Sequence, residues 1–548
     1  MMYLLINLLV SILIVSFFYL SGVNFSKIFL NNKKQPPQNV INKQQLYVFL
    51  GFFWYGNILF ILNFFISTKY IIFIFIILLI FLERDSIKNI YSDNKYAFLS
   101  LIFLVHSVFD NNPSHDANMY HFYLQKLISS EKIIFGLSNF DPLYGLSSIF
   151  DYISSSFWIG NNFGYIQNLN LVFIASFFNF LYFNLISHKK ILTQFSLIVV
   201  MVGLFDNFGF DGGRNGFLFI QEIGKFDNVF SIVFLISTII FYVVINNNDK
   251  DSINLYLLMY FVTFLSQLRS MGYLFFIFIV FYLYIIRFDL KSFSLFGLIF
   301  LNSAWLLKNF ITTSCFIYPL NFTCVPFVDW HWDKQAFYLS HIATSNNRNP
   351  NVESIDFLSF GWLKEYWIYE NYSYLLNFFL TFIVIKLFIS IFSKKNYIEN
   401  NYQPLLILCI FTYIVSWLLI YPNYRFVSGI MLSTYTALNL KKLIDFEFKI
   451  FNFKKVSYLA VFFLIISNIF LVRVNSYKSF YSNISTPINE EFEVNEPELV
   501  KRIDSFGYKS TDFYCYASHQ CSNSVQNTTR ILLKTYTYYI PLNTQLYK

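Results

Sequence analysis

Apolar residues run in long blocks along most of the chain, from Met1 to Val474, and are broken only by short polar gaps. A bilayer is crossed by about 20 apolar residues in helical form, so blocks of this kind predict membrane-spanning helices. The first block, Met1 to Leu20, has no positive n-region and no small-residue cleavage site, and is expected to remain as a span and not be removed as a signal peptide. Further blocks lie at 46–67, 70–82, 96–109, 165–187, 191–205, 229–246 and 252–267. A second group follows at 272–287, 292–311, 373–392, 403–421, 424–440 and 456–473. The pattern predicts an all-α, polytopic membrane protein of fourteen spans. Residues 1–474 form its transmembrane body and 475–548 a small extracytoplasmic C-terminal region.

Composition agrees: 56% hydrophobic and only 13% charged is far from the charge content of a soluble domain, and 72 Phe with 41 Tyr exclude a disordered chain. The net charge of +8 changes the picture through its placement. Alternate gaps, from Lys27 to Lys43 through to Lys441 to Lys455, hold 19 Lys and Arg, against 11 in the opposite set. The positive-inside rule makes the richer set cytoplasmic. Both termini and the long loops 110–164, 206–228 and 308–372 are then expected to face outward, with no basic face for nucleic acid. Cys315 and Cys324 share one outer loop, Cys515 and Cys521 share the tail, and Cys409 sits inside a span, which suits two disulfides in an oxidising compartment. The same four cysteines also read as thiols that fell there by chance. The excess of Phe, Ile, Asn and Lys is the signature of an AT-rich genome and carries no function.

Chemistry is expected on the outer side. In the first long loop, Asn112-Pro113 signals a helix start, and Met119, Phe122, Tyr123 and Leu127 form an apolar stripe at helical spacing. This predicts a short amphipathic helix lying at the membrane surface. Asp116 falls in its first turns, Tyr120 lies one turn on, and His115 and His121 flank them. One reading is a capping carboxylate among interface aromatics; the other is a general base at the outer face. Arg425, between Tyr421-Pro422 and Phe426, could offer a bidentate fork to phosphate or snorkel to headgroups. Arg214, Arg269 and Lys308 are further cations at outer helix ends. Trp330 and His331 lie in a Trp-rich loop, where the rings suit either sugar stacking or interface anchoring. Hydrolase, ATPase, metalloprotease and dinucleotide motifs are absent from the sequence, as is a Cys/His zinc spacing.

An acidic residue followed by Tyr-His at the start of an outer-loop helix, as in Asp116 to His121, resembles the first outer loop of GT-C superfamily membrane glycosyltransferases. The similarity extends to polytopic proteins of bacterial surface-polysaccharide clusters. Gly136-Leu-Ser-Asn, Lys308-Asn-Phe-Ile to Tyr318-Pro319, and Pro422-Asn-Tyr-Arg-Phe426 add short echoes. Here the loop follows the fourth predicted span instead of the first, and the Asp-x-Asp or paired-acid form is absent, so a divalent cation stays an open cofactor. The resemblance implies a polyprenyl-phosphate-linked glycan as donor, membrane lipids and polysaccharide-assembly proteins as partners, and a bacterial cytoplasmic membrane with the active side outward. It implies an acidic outer-loop residue beside the acceptor hydroxyl, here Asp116, with His121 and Tyr120 beside it as catalytic residues. The chemistry also needs a cation at phosphate, for which Arg425 is the first candidate. Lys308, Arg214 and Arg269 are further candidate substrate contacts whose competing role is headgroup contact, and Trp330 and His331 are candidate sugar contacts. The competing expectation is a lipid-linked oligosaccharide flippase or other secondary transporter, which would show repeats, broken spans and mid-membrane charge.

Overall fold

The computed structural model describes residues 2–30, 41–105, 117–140, 142–158, 165–186, 190–207, 227–247, 253–286, 293–331 and 403–420, with short pieces of the tail and two isolated residues beyond. Up to residue 420 these segments are mainly helical, with 314–331 a loop. The long helices are α1 (Met2–Phe29), α2 (Tyr47–Asn63), α3 (Ile71–Leu82) and α4 (Ile90–Leu104). Three short ones follow, α5 (Phe122–Ser130), α6 (Leu137–Phe140) and α7 (Ile149–Ser155). Then come α8 (Ile166–Ile186), α9 (Lys190–Asn207), α10 (Asp227–Asn247), α11 (Ile253–Leu268), α12 (Gly272–Ile285), α13 (Phe293–Thr313) and α14 (Gln403–Ile420). Among the described residues, five helices are long and apolar enough to cross a membrane: Leu4–Phe29, Lys43–Asn63, Ile166–Ile186, Asp227–Ile245 and Leu295–Thr313. The apolar helices α3, α11 and α12 are shorter than a bilayer requires for a straight crossing. The expected spans at 373–392, 424–440 and 456–473 fall outside the described segments.

Burial sorts the helices into layers. The window of α10 is 100% buried, whereas those of α1 and α13 are each buried over only half. On α3, Phe73, Ile74, Ile77 and Phe81 are exposed, as are Ile277 and Tyr284 on α12 and Phe296 and Phe300 on α13. Such apolar outer faces suit lipid as solvent, while the interior is an aromatic cluster in which Phe18 stacks on Phe52 at 3.6 Å between centroids. The antiparallel pair α1 and α2 approaches most closely at Gly22 and Gly51, where added Cβ atoms would lie 1.8 Å from the carbonyl oxygens of Tyr47 and Phe18. Small residues at such crossings let two backbones touch.

The two ends of the bundle differ in chemistry. At one, Lys27 pairs with the buried Glu83 at 2.6 Å, Asn24 donates to the same carboxylate, and the Tyr19 hydroxyl donates to Asp93. At the other, Asn168 bonds Ser11, Arg269 pairs with Asp227, and the segments 117–158 and 314–331 close over α2 and α13. Among the described residues, those around Lys27, Glu83 and Asp93 thus meet at one end and segments 117–158 and 314–331 at the other.

The described body is all-α as expected, and the described pieces of the tail are short strands. Lys509–Ser510 (β1) pairs in parallel with Cys521–Ser522 (β2), and Thr528–Leu533 (β3) pairs antiparallel with Tyr536–Pro541 (β4), Thr528 facing Pro541 and Leu533 facing Tyr536. Thr, Ile and Tyr dominate β3 and β4, and these residue types favour a pleated surface over a helix. Strand β4 runs beside α6.

Candidate functional site

The site is built where α5, α6 and α7 fold down onto the ends of α2 and α13. Ala117–His121 forms a single π-helical turn leading into α5, a feature that often accompanies functional positions. Helix α5 does not lie on the molecule's surface as its apolar stripe suggests: Phe122, Tyr123, Leu124, Gln125, Leu127, Ile128 and Ser129 are all buried. Its polar side is satisfied internally, because Gln125 donates to Asp151 at 3.1 Å and accepts from the Trp158 indole at 3.2 Å. Only Lys126 and Ser130 reach outward, and burial draws the Lys126 ammonium below its ordinary pKa.

Asp151 is the centre. It occupies the third position of α7 in a capping box, where its Oδ2 accepts from the Ser148 backbone N–H at 2.9 Å while the Ser148 hydroxyl caps the helix start. Its Oδ1 accepts from Gln125 and lies 2.9 Å from His121 Nδ1. The carboxyl is fully buried, which by itself raises its pKa, yet the His121 charge and the hydrogen bonds from His121, Ser148 and Gln125 outweigh burial and hold it below the usual carboxylate range. An ionised Asp151 fixes the proton of His121 on Nδ1 and makes Nε2 the basic nitrogen. The His121 side chain keeps 12% exposure, so the pair sits just below the surface.

Lys308, five residues before the end of α13, is fully buried. Its ammonium reaches the Ser147 hydroxyl and carbonyl and the Asn309 side chain, and lies 4.4 Å from the Trp305 ring and 5.7 Å from that of Tyr152. Among the described residues it has no carboxylate within ion-pair distance, although Asp151, next to Tyr152, acts on it through space. An ionisable residue in such a place is a candidate for function. Beside it is a narrow cleft whose walls include Leu124, Leu127, Ile134 and Leu137, with Ser147, Tyr152 and Thr312 on the Lys308 side and Lys132 also lining it.

The loop after α13 locks this arrangement. Gly136, at φ 62°, donates its N–H to Ile311, Ser138 bonds the Thr312 carbonyl, and Asn139 bonds that of Trp330. Cys315 and Cys324 are joined by a disulfide, and Tyr318 inside that loop donates to the Pro142 carbonyl. Two motifs far apart in sequence, Gly136-Leu-Ser-Asn and Lys308 to Tyr318-Pro319, thus form one structure.

Residues 1–432 match the model of a family described as Domain of unknown function (DUF8201). The chain belongs to that family. No curated protein and no solved structure matches it. The DUF8201 region contains the whole of the site just described and ends before the tail strands.

The sequence-derived candidates divide within this DUF8201 protein. His121, Tyr120 and Lys308 fall at the site, the Tyr120 and His121 rings lying 4.1 Å apart. The partner of His121 in the structure is Asp151, a carboxylate the sequence reading did not single out. Its signal was Ser148-x-x-Asp151 ahead of an apolar run, a capping box that says nothing of a histidine 30 residues earlier. Trp330 packs its ring edge-on to Phe135 and Phe310 and donates to the Phe310 carbonyl, and His331 bonds Ser314 at 2.8 Å. Both therefore brace the loop. Arg269 pairs with Asp227 at another point of the same end. Asp116, Arg214, Arg425 and Cys515 lie outside the described residues. Of Cys521 only its place in β2 is described. No group of three metal-ligating side chains occurs among the described residues.

Proposed function

We propose that this DUF8201 protein is a GT-C-like membrane glycosyltransferase of about fourteen spans. In this reading it works on the outer side of a bacterial cytoplasmic membrane and transfers sugar or oligosaccharide from a polyprenyl-phosphate carrier during surface-polysaccharide assembly. A repeat-unit polymerase is its most specific form. The supporting observation is the pairing of a buried Lys308, without a carboxylate partner among the described residues, with a narrow cleft rich in Leu and Ile and a nearby Asp151–His121 couple. An anionic lipid needs that combination of apolar wall and cation. Glycosyl transfer also needs a base, and His121 backed by Asp151 supplies one. The acceptor O–H would give its proton to His121, the acceptor oxygen would bond the anomeric carbon, and the bond from that carbon to phosphate would break, leaving the phosphate anion to Lys308. Asp116, immediately before the Ala117–His121 turn, is the alternative base, and Arg425 a second phosphate cation.

The test is surface polysaccharide from strains carrying His121→Gln, Asp116→Asn or Lys308→Met, with protein levels in the membrane checked for each. Loss of a general base typically costs about 10²- to 10⁴-fold in rate. The variant that removes the working base should leave single repeats or truncated chains on the carrier. Normal polysaccharide in all three strains overturns the reading. The flippase alternative draws on Lys308 as an ionisable residue inside a span. It predicts lipid-linked repeats trapped on the cytoplasmic leaflet, with the transferase activity of isolated membranes intact.

A further inference from the structure

The segment that follows α13 contains no charged residue from Asn309 to Val328. Its two sides are unlike. Cys315 and Tyr318 are buried against the segment around Pro142 and Gly145, while Phe316 and Leu320 are 42% and 38% exposed and Phe322 and Phe327 are 86% and 85% exposed. The disulfide and the bonds of Thr323 to Ile317 and Leu320 hold Phe316, Leu320 and Phe322 on a closed loop, and Phe327 follows three residues after it. Single exposed apolar residues are ordinary, but four on one uncharged loop are not.

What covers them is indicated by what they continue. The loop caps α13, whose Phe296, Ile299, Phe300 and Leu307 are exposed along a helix apolar enough to cross a bilayer. Between Leu307 on the exposed face of the span and Phe316 on the loop the one charged residue, Lys308, is buried, so no charge reaches the surface there. We propose that the disulfide-closed loop 315–324, together with Phe327, inserts its phenylalanines into the interfacial layer of the membrane at the site's end of the bundle. Its occupant is a phospholipid surface. The consequence concerns Lys308, which lies six residues before Ser314 on the same helix. At helical rise this is about 9 Å along α13 from the loop toward the bilayer centre, so seating the phenylalanines at the interface places the buried ammonium on the hydrocarbon side of the lipid phosphates, held there inside the protein. The inference rests on the membrane reading of the chain and not on the transferase reading.

The experiment installs an environment-sensitive fluorescent amino acid at Phe322, and separately at Phe327, in the full chain reconstituted into phosphatidylcholine nanodiscs. Both side chains are exposed, so the fold should tolerate the probe. Expected is blue-shifted emission, quenched by lipids bearing a nitroxide near the headgroup and insensitive to aqueous iodide. Emission quenched by iodide but not by the nitroxide lipids overturns the proposal, because the loop then stands in water. Protection from both quenchers overturns it too, since protein then covers the loop. Neither outcome depends on sugar transfer, so this proposal and the proposed activity fail separately.

Discussion

Asp151 shows how much of the site depends on a single buried charge. Its carboxylate ties the start of α7 to α5 and to His121, and each of its oxygens is committed. An Asp151→Asn chain keeps the volume but presents an amide N–H toward donors. Leaving a buried polar group mismatched costs about 1–3 kcal/mol. The pH dependence has a definite sign. A folded-state pKa held below the ordinary value stabilises the protein above the ordinary carboxylate range, and that contribution is lost as pH falls through the depressed value. The difference in melting temperature between the wild-type and Asn chains in detergent should be full at neutral pH and shrink once acidification passes that range. A difference that does not change with pH would mean the Asp151 carboxyl is not ionised in the folded protein. At this scale sequence reading reached His121 and Lys308, because an ionisable residue next to an apolar run stands out. It missed Asp151, since a carboxylate in Ser-x-x-Asp looks like a helix cap and its partner is fixed only by packing.

At the scale of elements, helix identity was legible wherever an apolar block was long. The spans at α1, α2, α8, α10 and α13 follow from hydropathy alone, while the depth of α5 does not. A stripe of Met119, Phe122, Tyr123 and Leu127 is the same pattern for a helix on lipid and for one inside protein. The polar residues between the stripe positions decide, and Gln125 finds its partners inward. The tail strands were equally hidden, because short Thr- and Tyr-rich stretches carry little periodic signal. The α1–α2 crossing makes a sharper prediction. A Cβ at position 51 would lie 1.8 Å from the Phe18 carbonyl oxygen, and backbone cannot yield as a side-chain tip can. Gly51→Ala should therefore lower stability by about 1–3 kcal/mol, the range for overpacking. Leu13→Ala, at a position 67% exposed on the outer face of α1, should leave the melting temperature in detergent nearly unchanged. Equal effects of the two would mean that α1 and α2 are not in direct backbone contact.

For the whole molecule, the grouping of loops matters more than the number of spans. Segments 117–158 and 314–331 meet at one end, and Lys27, Glu83 and Asp93 gather at the other. Which end faces the cytoplasm is set by the 19 to 11 bias of Lys and Arg in the connecting segments, and this predicts the site's end to be outward. Reporter fusions after Asn161 and Asn475 should read as extracytoplasmic, and fusions after Lys189 and Lys442 as cytoplasmic. The first pair of neighbours, Asn161 and Lys189, brackets α8, which is 89% buried and long enough to cross, so agreement between those two would deny α8 its span. Reversal of the whole pattern would have a chemical consequence. Activated nucleotide sugars are cytoplasmic, whereas a donor on the outer face must arrive already attached to a lipid. On the proposed reading an outward site requires an apolar wall beside a cation for phosphate, and the narrow cleft lined by Leu124, Leu127, Ile134 and Leu137 lies next to Ser147, the Lys308 partner. A cytoplasmic reading for Asn161 would leave that wall without its lipid and remove the reason for assigning a polyprenyl-phosphate donor.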